Sequence, residues 1–89
     1  MERLRFRVRG RVQGVGFRAH TRGLAQTRGL SGWARNCPDG SVDILLCGDA
    51  TDIAAVKPQI VQGPPGAVVE AVEALDAVTI PRPEKFEVG

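Results

Sequence analysis

Residues 3–9 alternate strictly between charged and apolar side chains. Leu4, Phe6 and Val8 share one face, and Arg3, Arg5, Arg7 and Arg9 share the other. A period of two over this length predicts a half-buried strand. Stacked guanidinium groups are too costly to bury, so the arginine face is expected to stay in water. A sheet with one wet face is usually antiparallel or mixed rather than doubly wound. The stretch from Gly10 to Gly16 is rich in glycine and reads as a loop. Phe17, Thr21, Leu24, Ala25 and Arg28 then fall at helical spacing, which predicts a helix over 17–28. Gly23 weakens that helix by about 1 kcal/mol relative to alanine. Gly29 suits the residue just past a helix end.

Leu30 to Cys37 reads as a second strand and Ser41 to Cys47 as a third, with Val42, Ile44 and Leu46 on one face. Pro38-Asp39-Gly40 between them is a turn, so 30–47 forms a hairpin. Asp49 is placed to cap a second helix, whose buried stripe is Ile53, Val56, Ile60 and Val61. Pro58 lies inside that helix and is expected to kink or shorten it. Gly63-Pro64-Pro65-Gly66 stops it. A fourth strand is predicted over 67–78. Val69 and Val72 cannot share a face at period two, which calls for a bulge near Glu70-Ala71. After the interruption at Pro81-Arg82-Pro83, Phe86 and Val88 mark a short final edge strand. The order is β-α-β-β-α-β plus one short strand. It matches an α+β, ferredoxin-like sandwich, with two helices on one face of a mainly antiparallel sheet. No repeat or linker divides the chain, so residues 1–89 read as one domain.

Composition narrows the class. Hydrophobic residues at 43% and charged residues at 25% fit a globular chain and argue against disorder. No apolar run reaches the roughly 18 residues of a membrane helix, and Met1 to Arg5 holds no apolar signal core. A soluble, cytoplasmic monomer without membrane contact is expected. Two cysteines and one histidine are too few for a four-ligand zinc site. They also leave no basis for most Ser-His or Cys-His nucleophilic mechanisms. No metal or organic cofactor is implied. Cys37 and Cys47 fall at opposite ends of the hairpin, about 20 Å apart at strand rise, which excludes a disulfide between them. The net charge of +2 hides an asymmetry: residues 1–38 carry nine arginines against Glu2 alone, and residues 39–89 carry three cations against nine acidic groups. A basic first half points to an anionic partner, either a small phosphate or a nucleic acid.

The informative segment is Gly10-Arg11-Val12-Gln13-Gly14-Val15-Gly16-Phe17-Arg18, which joins a strand to a helix start. Glycines let successive N–H groups turn inward as an anion nest. The helix N-terminus adds unpaired N–H groups and a positive dipole end. Arg18 adds a planar fork matched to phosphate oxygens. Gly14-x-Gly16-x-x-Ala19 also fits the dinucleotide fingerprint, with Asp39 downstream, but Asp39 sits in a turn and the chain is too short for two β-α-β-α-β halves. Asn36 ends the second strand. In a ferredoxin-like sheet the strands flanking the first helix run parallel, with the third between them. Asn36 and the glycine loop therefore meet at one edge of the sheet, about 10 Å apart at two strand spacings. A phosphate and a water fit between them.

With these residues the sequence resembles the acylphosphatases. The matching stretches are Gly10 to Arg18, Ala25, Gly29-Leu30-Ser31-Gly32-Trp33-Ala34-Arg35-Asn36 and Asp39-Gly40, with weaker matches at Gly48, Gly63-Pro64, Val69 and Phe86. The resemblance implies a hydrolase of small-molecule acyl phosphates. It implies that the loop Gln13, Gly14, Val15, Gly16 and Phe17, together with Arg18, binds the phosphate, and that Asn36 positions the attacking water. Gly23 and Pro58 depart from the family's helix-friendly pattern. Similar domains occur in hydrogenase-maturation proteins, where they act on carbamoyl phosphate within much longer chains.

Other residues have plainer readings. His20, two positions after Arg18, is expected to point to another side of the helix and be solvated. Trp33 is expected to serve packing. A ferredoxin-like RNA-binding module is the alternative from a different class. It needs exposed aromatics on the central strands. Ser41 to Cys47 has none and the first strand exposes arginines, so no nucleic-acid partner is expected.

Overall fold

The structure is a computed structural model and describes residues 1–77 and 79–89. Its elements are β1 (Glu2–Arg11), α1 (Phe17–Thr27), β2 (Ser31–Asn36), β3 (Val42–Gly48), α2 (Ala50–Gln62), β4 (Val68–Leu75) and β5 (Phe86–Val88). The strands form one sheet in the order β4-β1-β3-β2-β5. β1 pairs antiparallel with β3 and β4, β2 antiparallel with β3, and β5 parallel with β2. This is the expected ferredoxin-like α+β sandwich.

The main core lies between the sheet and the two helices. Phe6, Val8, Ala34, Ile44 and Leu46 from the sheet meet Phe17, Ala25, Ile53, Val56 and Ile60 from the helices. Helix α1 ends in a Schellman turn: Leu30 N–H donates to the Ala25 carbonyl (3.0 Å) and Gly29 N–H to that of Gln26 (3.1 Å). Gly29 takes the left-handed conformation this needs, at φ 66°. Helix α2 continues unbroken through Pro58, which is exposed, as is Ala54 one turn back. The carbonyl left without a donor thus sits on the solvent side, so the proline does not shorten the helix. Asp49 is the N-cap of α2, but its side chain makes no capping hydrogen bond.

The predicted bulge is in β4. Arg9 pairs with Ala71 and Gly10 with Val69, which leaves Glu70 as the extra residue. The strands come so close there that a Cβ on Gly10 would lie 2.2 Å from the Val68 carbonyl oxygen. The sequence placed the end of this strand at 78. The structure ends it at Leu75, and Val78 itself lies outside the described residues.

The arginine face departs from expectation. β4 and β5 occupy opposite edges of the sheet. The chain between them must cross one face, and the helices already fill the other. Ala77 is buried against Leu45 and Cys47, with Trp33 and Ile80 packed beside them. Arg82 Nε donates to Ser31 Oγ (3.3 Å) further along the crossing. Leu45 and Cys47 are wholly buried as a result, and burial pushes the Cys47 thiol up from its usual range. The guanidinium groups are therefore half-covered rather than free in water. Arg5 forms a fork with Asp43, Nε to Oδ1 at 3.1 Å and Nη2 to Oδ2 at 2.7 Å.

Arg9 steadies the hairpin between β2 and β3. It donates to Asp39 (2.8 Å) and Glu73 (3.1 Å), joining the turn to β1 and β4. Asp39 also accepts from Ser41 Oγ (2.5 Å) and Ser41 N–H (3.0 Å). The Ser41 hydroxyl, the Ser41 N–H and Arg9 together hold the Asp39 carboxyl far below its ordinary value of 3.8.

Three stability predictions follow from this fold. A Cβ at Gly23, on the exposed face of α1, meets nothing within 4 Å. Gly23→Ala should raise unfolding free energy by about 1 kcal/mol in urea titrations. Gly32 lies at φ 142°, and a Cβ there would sit 1.8 Å from the Leu45 carbonyl oxygen. Gly32→Ala should cost about 2 kcal/mol or more in the same titration. A depressed carboxyl stabilises the fold above its unfolded value, and the contribution fades as pH falls toward the folded value. The stability gap between wild type and Asp39→Asn should hold steady from pH 7 to 5 and narrow below about pH 4. Denaturation curves at each pH measure it.

Candidate active site

The segment between β1 and α1 is pegged down by apolar side chains. Val12 and Phe17 are buried and Val15 packs against the main core. The Phe17 ring lies so close to the turn after α2 that a Cβ on Gly63 would be 3.0 Å from its Cε2. Gly14 and Gly16 take left-handed conformations at φ 75° and 79°, yet a Cβ on either would meet nothing within 4 Å. Backbone handedness, rather than crowding, is what demands glycine here. Gly16 is the N-cap of α1. No side chain caps the first turn and no acidic residue lies in it. The first N–H groups of the helix are left unclaimed by side chains, with the positive end of the dipole beside them.

This loop meets the end of β2 and the end of β5 at one edge of the sheet. Val12, Gly14, Gly16, Phe17, Arg18, Ala19, Asn36 and Val88 line a cavity of about 160 Å³. Of the residues expected from sequence, Gly14, Gly16, Phe17, Arg18 and Asn36 come together there. Val15 and Gln13 do not line it. The Gln13 carboxamide nitrogen donates instead to the carbonyls of Cys37 (2.9 Å) and Ser41 (2.8 Å) in the hairpin. Arg18 Nη1 donates to the backbone oxygen of Gly89, and Asn36 N–H donates to the same oxygen at 3.3 Å. Sequence reasoning missed Val12, Ala19, Val88 and Gly89 as neighbours. Alternation had placed Val88 on an edge strand, but nothing local shows that this strand runs parallel to β2.

Among the described residues the lining offers one cationic side chain, one carboxamide, backbone N–H groups and apolar walls, and no Asp or Glu side chain. It can hold an oxyanion and a water, and Arg18 is the one charged side chain among the described lining residues. His20 stands apart, its Nε2 3.4 Å from the Gln59 carbonyl oxygen of α2. Trp33 lies on the far face of the sheet with the Arg35 guanidinium stacked 3.9 Å from its ring centre. Cys37 and Cys47 are both free thiols. Among the described residues no group of three or more His, Cys, Asp or Glu side chains is gathered as a metal site. No helix among them is long and apolar enough to cross a membrane. A larger hollow, about 370 Å³, opens between Met1–Arg5 and Leu75–Ala77 at the opposite end of β1. It has neither a glycine loop nor a helix N-terminus.

The family model for acylphosphatase matches residues 4–88. The acylphosphatase of Chromohalobacter salexigens is 51% identical over 82 residues, which cover 92% of this chain and 90% of that one. The crystal structure of acylphosphatase from Bacillus subtilis superposes with a TM-score of 0.92 at 31% identity, covering 100% of this chain and 99% of that one. The crystal structure of T. kodakarensis HypF contains a similar fold, with a TM-score of 0.86 at 26% identity, where 99% of this chain covers 12% of that one. The chain belongs to the acylphosphatase family, enzymes that hydrolyse acyl phosphates.

Proposed function

We propose that the cavity at the β1–α1 loop is where an acyl phosphate is hydrolysed to a carboxylate and inorganic phosphate. One observation carries this reading: a single cavity joins Arg18, Asn36 and an uncapped, glycine-bent helix start. The N–H groups of the loop at Gly14, Gly16 and Phe17 and the Arg18 fork take the phosphoryl oxygens. Arg18 has five N–H donors, so bonding to the Gly89 backbone oxygen leaves others for the substrate. Asn36 holds a water in line with the acyl oxygen. Water attacks phosphorus, the bond from phosphorus to the acyl oxygen breaks, and the carboxylate leaves with the electron pair. The water's proton passes to a phosphoryl oxygen of the substrate, because asparagine is no base at neutral pH. A carboxylate is a good leaving group, so no protein acid is required. Catalysis then consists of positioning and preorganised charge stabilisation.

One five-stranded sheet takes its strands from Glu2 to Val88, which supports a single domain over residues 1–89. Two free thiols suit a reducing compartment such as the cytoplasm. The reaction as written needs no metal ion.

Steady-state hydrolysis of a synthetic acyl phosphate in EDTA tests the assignment. Wild type should turn over. Arg18→Ala and Asn36→Ala, checked for folding by circular dichroism, should each lose about 10²–10³-fold or more in kcat/KM. Arg18→Ala should raise KM as well, whereas Asn36→Ala should act mainly on kcat. Wild-type activity that vanishes in EDTA would overturn the metal-free scheme. The rate should also be flat from pH 6 to 8, since the described cavity lining holds no His, Cys, Asp or Glu side chain to act as a base. A steep limb that disappears in His20→Asn would show that a protein base takes the proton. Finally, kcat/KM for the anionic substrate should fall with added salt, as the arginine-rich half of the chain is screened.

A further inference from the structure

The carboxamide of Gln13 sits between the two halves of the site without touching the cavity. Its Nε2 carries two hydrogens and uses one on each of two carbonyls, Cys37 at 2.9 Å and Ser41 at 2.8 Å. Both carbonyls already have a backbone partner: Gly40 N–H donates to Cys37 (3.1 Å) and Cys37 N–H to Ser41 (2.8 Å). The hairpin is therefore closed without Gln13, and a carbonyl's second lone pair is what the side chain occupies. The bond is a cross-link added to a finished turn.

The cross-link joins the two places where the site needs fixed spacing. Gln13 is followed by Gly14, which lines the cavity, and Cys37 is preceded by Asn36, which also lines it. Gly14 and Gly16 have no side chains to hold the loop tip against its neighbours. We propose that Gln13 is a positioning residue, which sets the separation between the phosphate loop and the water held by Asn36 by bridging the mouth of the β2–β3 hairpin. This rests on the reading of the cavity given above. The demand on residue type is narrow. Asparagine is one methylene short, glutamate at neutral pH turns an acceptor toward two acceptors, and methionine keeps the length without a donor.

The test compares wild type, Gln13→Met and Gln13→Glu in the acyl phosphate assay, with inorganic phosphate as inhibitor and thermal unfolding as control. Misplacing a water by a fraction of a bond length slows attack, while the loop and Arg18 still grip phosphate. Both variants should lose about 10- to 100-fold in kcat while the phosphate inhibition constant moves by less than about threefold. An inhibition constant that rises in step with the loss of kcat would make Gln13 a phosphate ligand and overturn the proposal. Unchanged kcat would overturn it too, as would a loss that tracks the unfolded fraction and recovers on cooling. A second measurement needs no variant. In wild type the two Gln13 side-chain amide protons should exchange slowly and keep their NMR shifts when inorganic phosphate saturates the protein. Release of those protons by phosphate would show the bridge to be spent on binding. A wild type with no turnover would fail the reading of the cavity itself, and the amide protons would still report separately on the bridge.

Discussion

Because β3 runs antiparallel to both of its neighbours, β1 and β2 must finish at the same edge of the sheet. β5, parallel to β2, finishes there as well. Everything at the site depends on that constraint. It delivers a loop bent by glycines, a carboxamide and an apolar wall to one spot, although Gly14, Asn36 and Val88 are far apart in the chain. Right-handed packing of α1 between β1 and β2 then aims the start of the helix into the same space. No side chain has to be buried against its solvation preference to build this arrangement. The polar groups it gathers are backbone N–H groups, the Asn36 carboxamide and one arginine.

The opposite face of the sheet shows how topology overrides local pattern. Strict alternation over Arg3 to Arg9 made that face look wet. Yet the edge strands β4 and β5 can be connected only by crossing it, because the helices already fill the other side. The crossing brings Ala77 and Ile80 onto Leu45, Cys47 and Trp33 and creates a second, smaller apolar cluster. The apolar stems of the arginines can lie under the crossing, but Nε of Arg3 and Nε of Arg7 are buried there with no hydrogen-bond partner among the described residues. Arg5 finds Asp43 and Arg9 finds Asp39 and Glu73.

What could be read from the sequence was what depends on nearest neighbours. Period two gave the strands, and Gly29 gave the end of α1. The clash of Val69 and Val72 with a regular strand gave the bulge, found at Glu70. The motif residues Gly14, Gly16, Phe17, Arg18 and Asn36 were legible because their chemistry is unusual in that pattern. What could not be read depends on distant partners. The carboxamide of Gln13 could have faced a ligand or a turn, and only the folded hairpin shows that Cys37 and Ser41 claim it. Asp49 occupies the predicted cap position, yet its side chain makes no cap. The direction of β5 follows from a crossing that no local residue announces.

The last strand carries a consequence for the order in which the enzyme comes into being. In the sheet, Gly32 pairs with Phe86 and Arg5 with Leu75. Strands made early thus wait for strands made late. Such long-range pairing is entropically expensive until the chain closes, and it makes folding slow relative to helical proteins. Of the elements described, β5 leaves the ribosome after all the others, and it brings Val88 to the cavity wall. The loop and Asn36 are synthesised long before their surroundings exist. A nascent chain therefore carries the glycine loop and Asn36 before the wall that encloses their cavity exists.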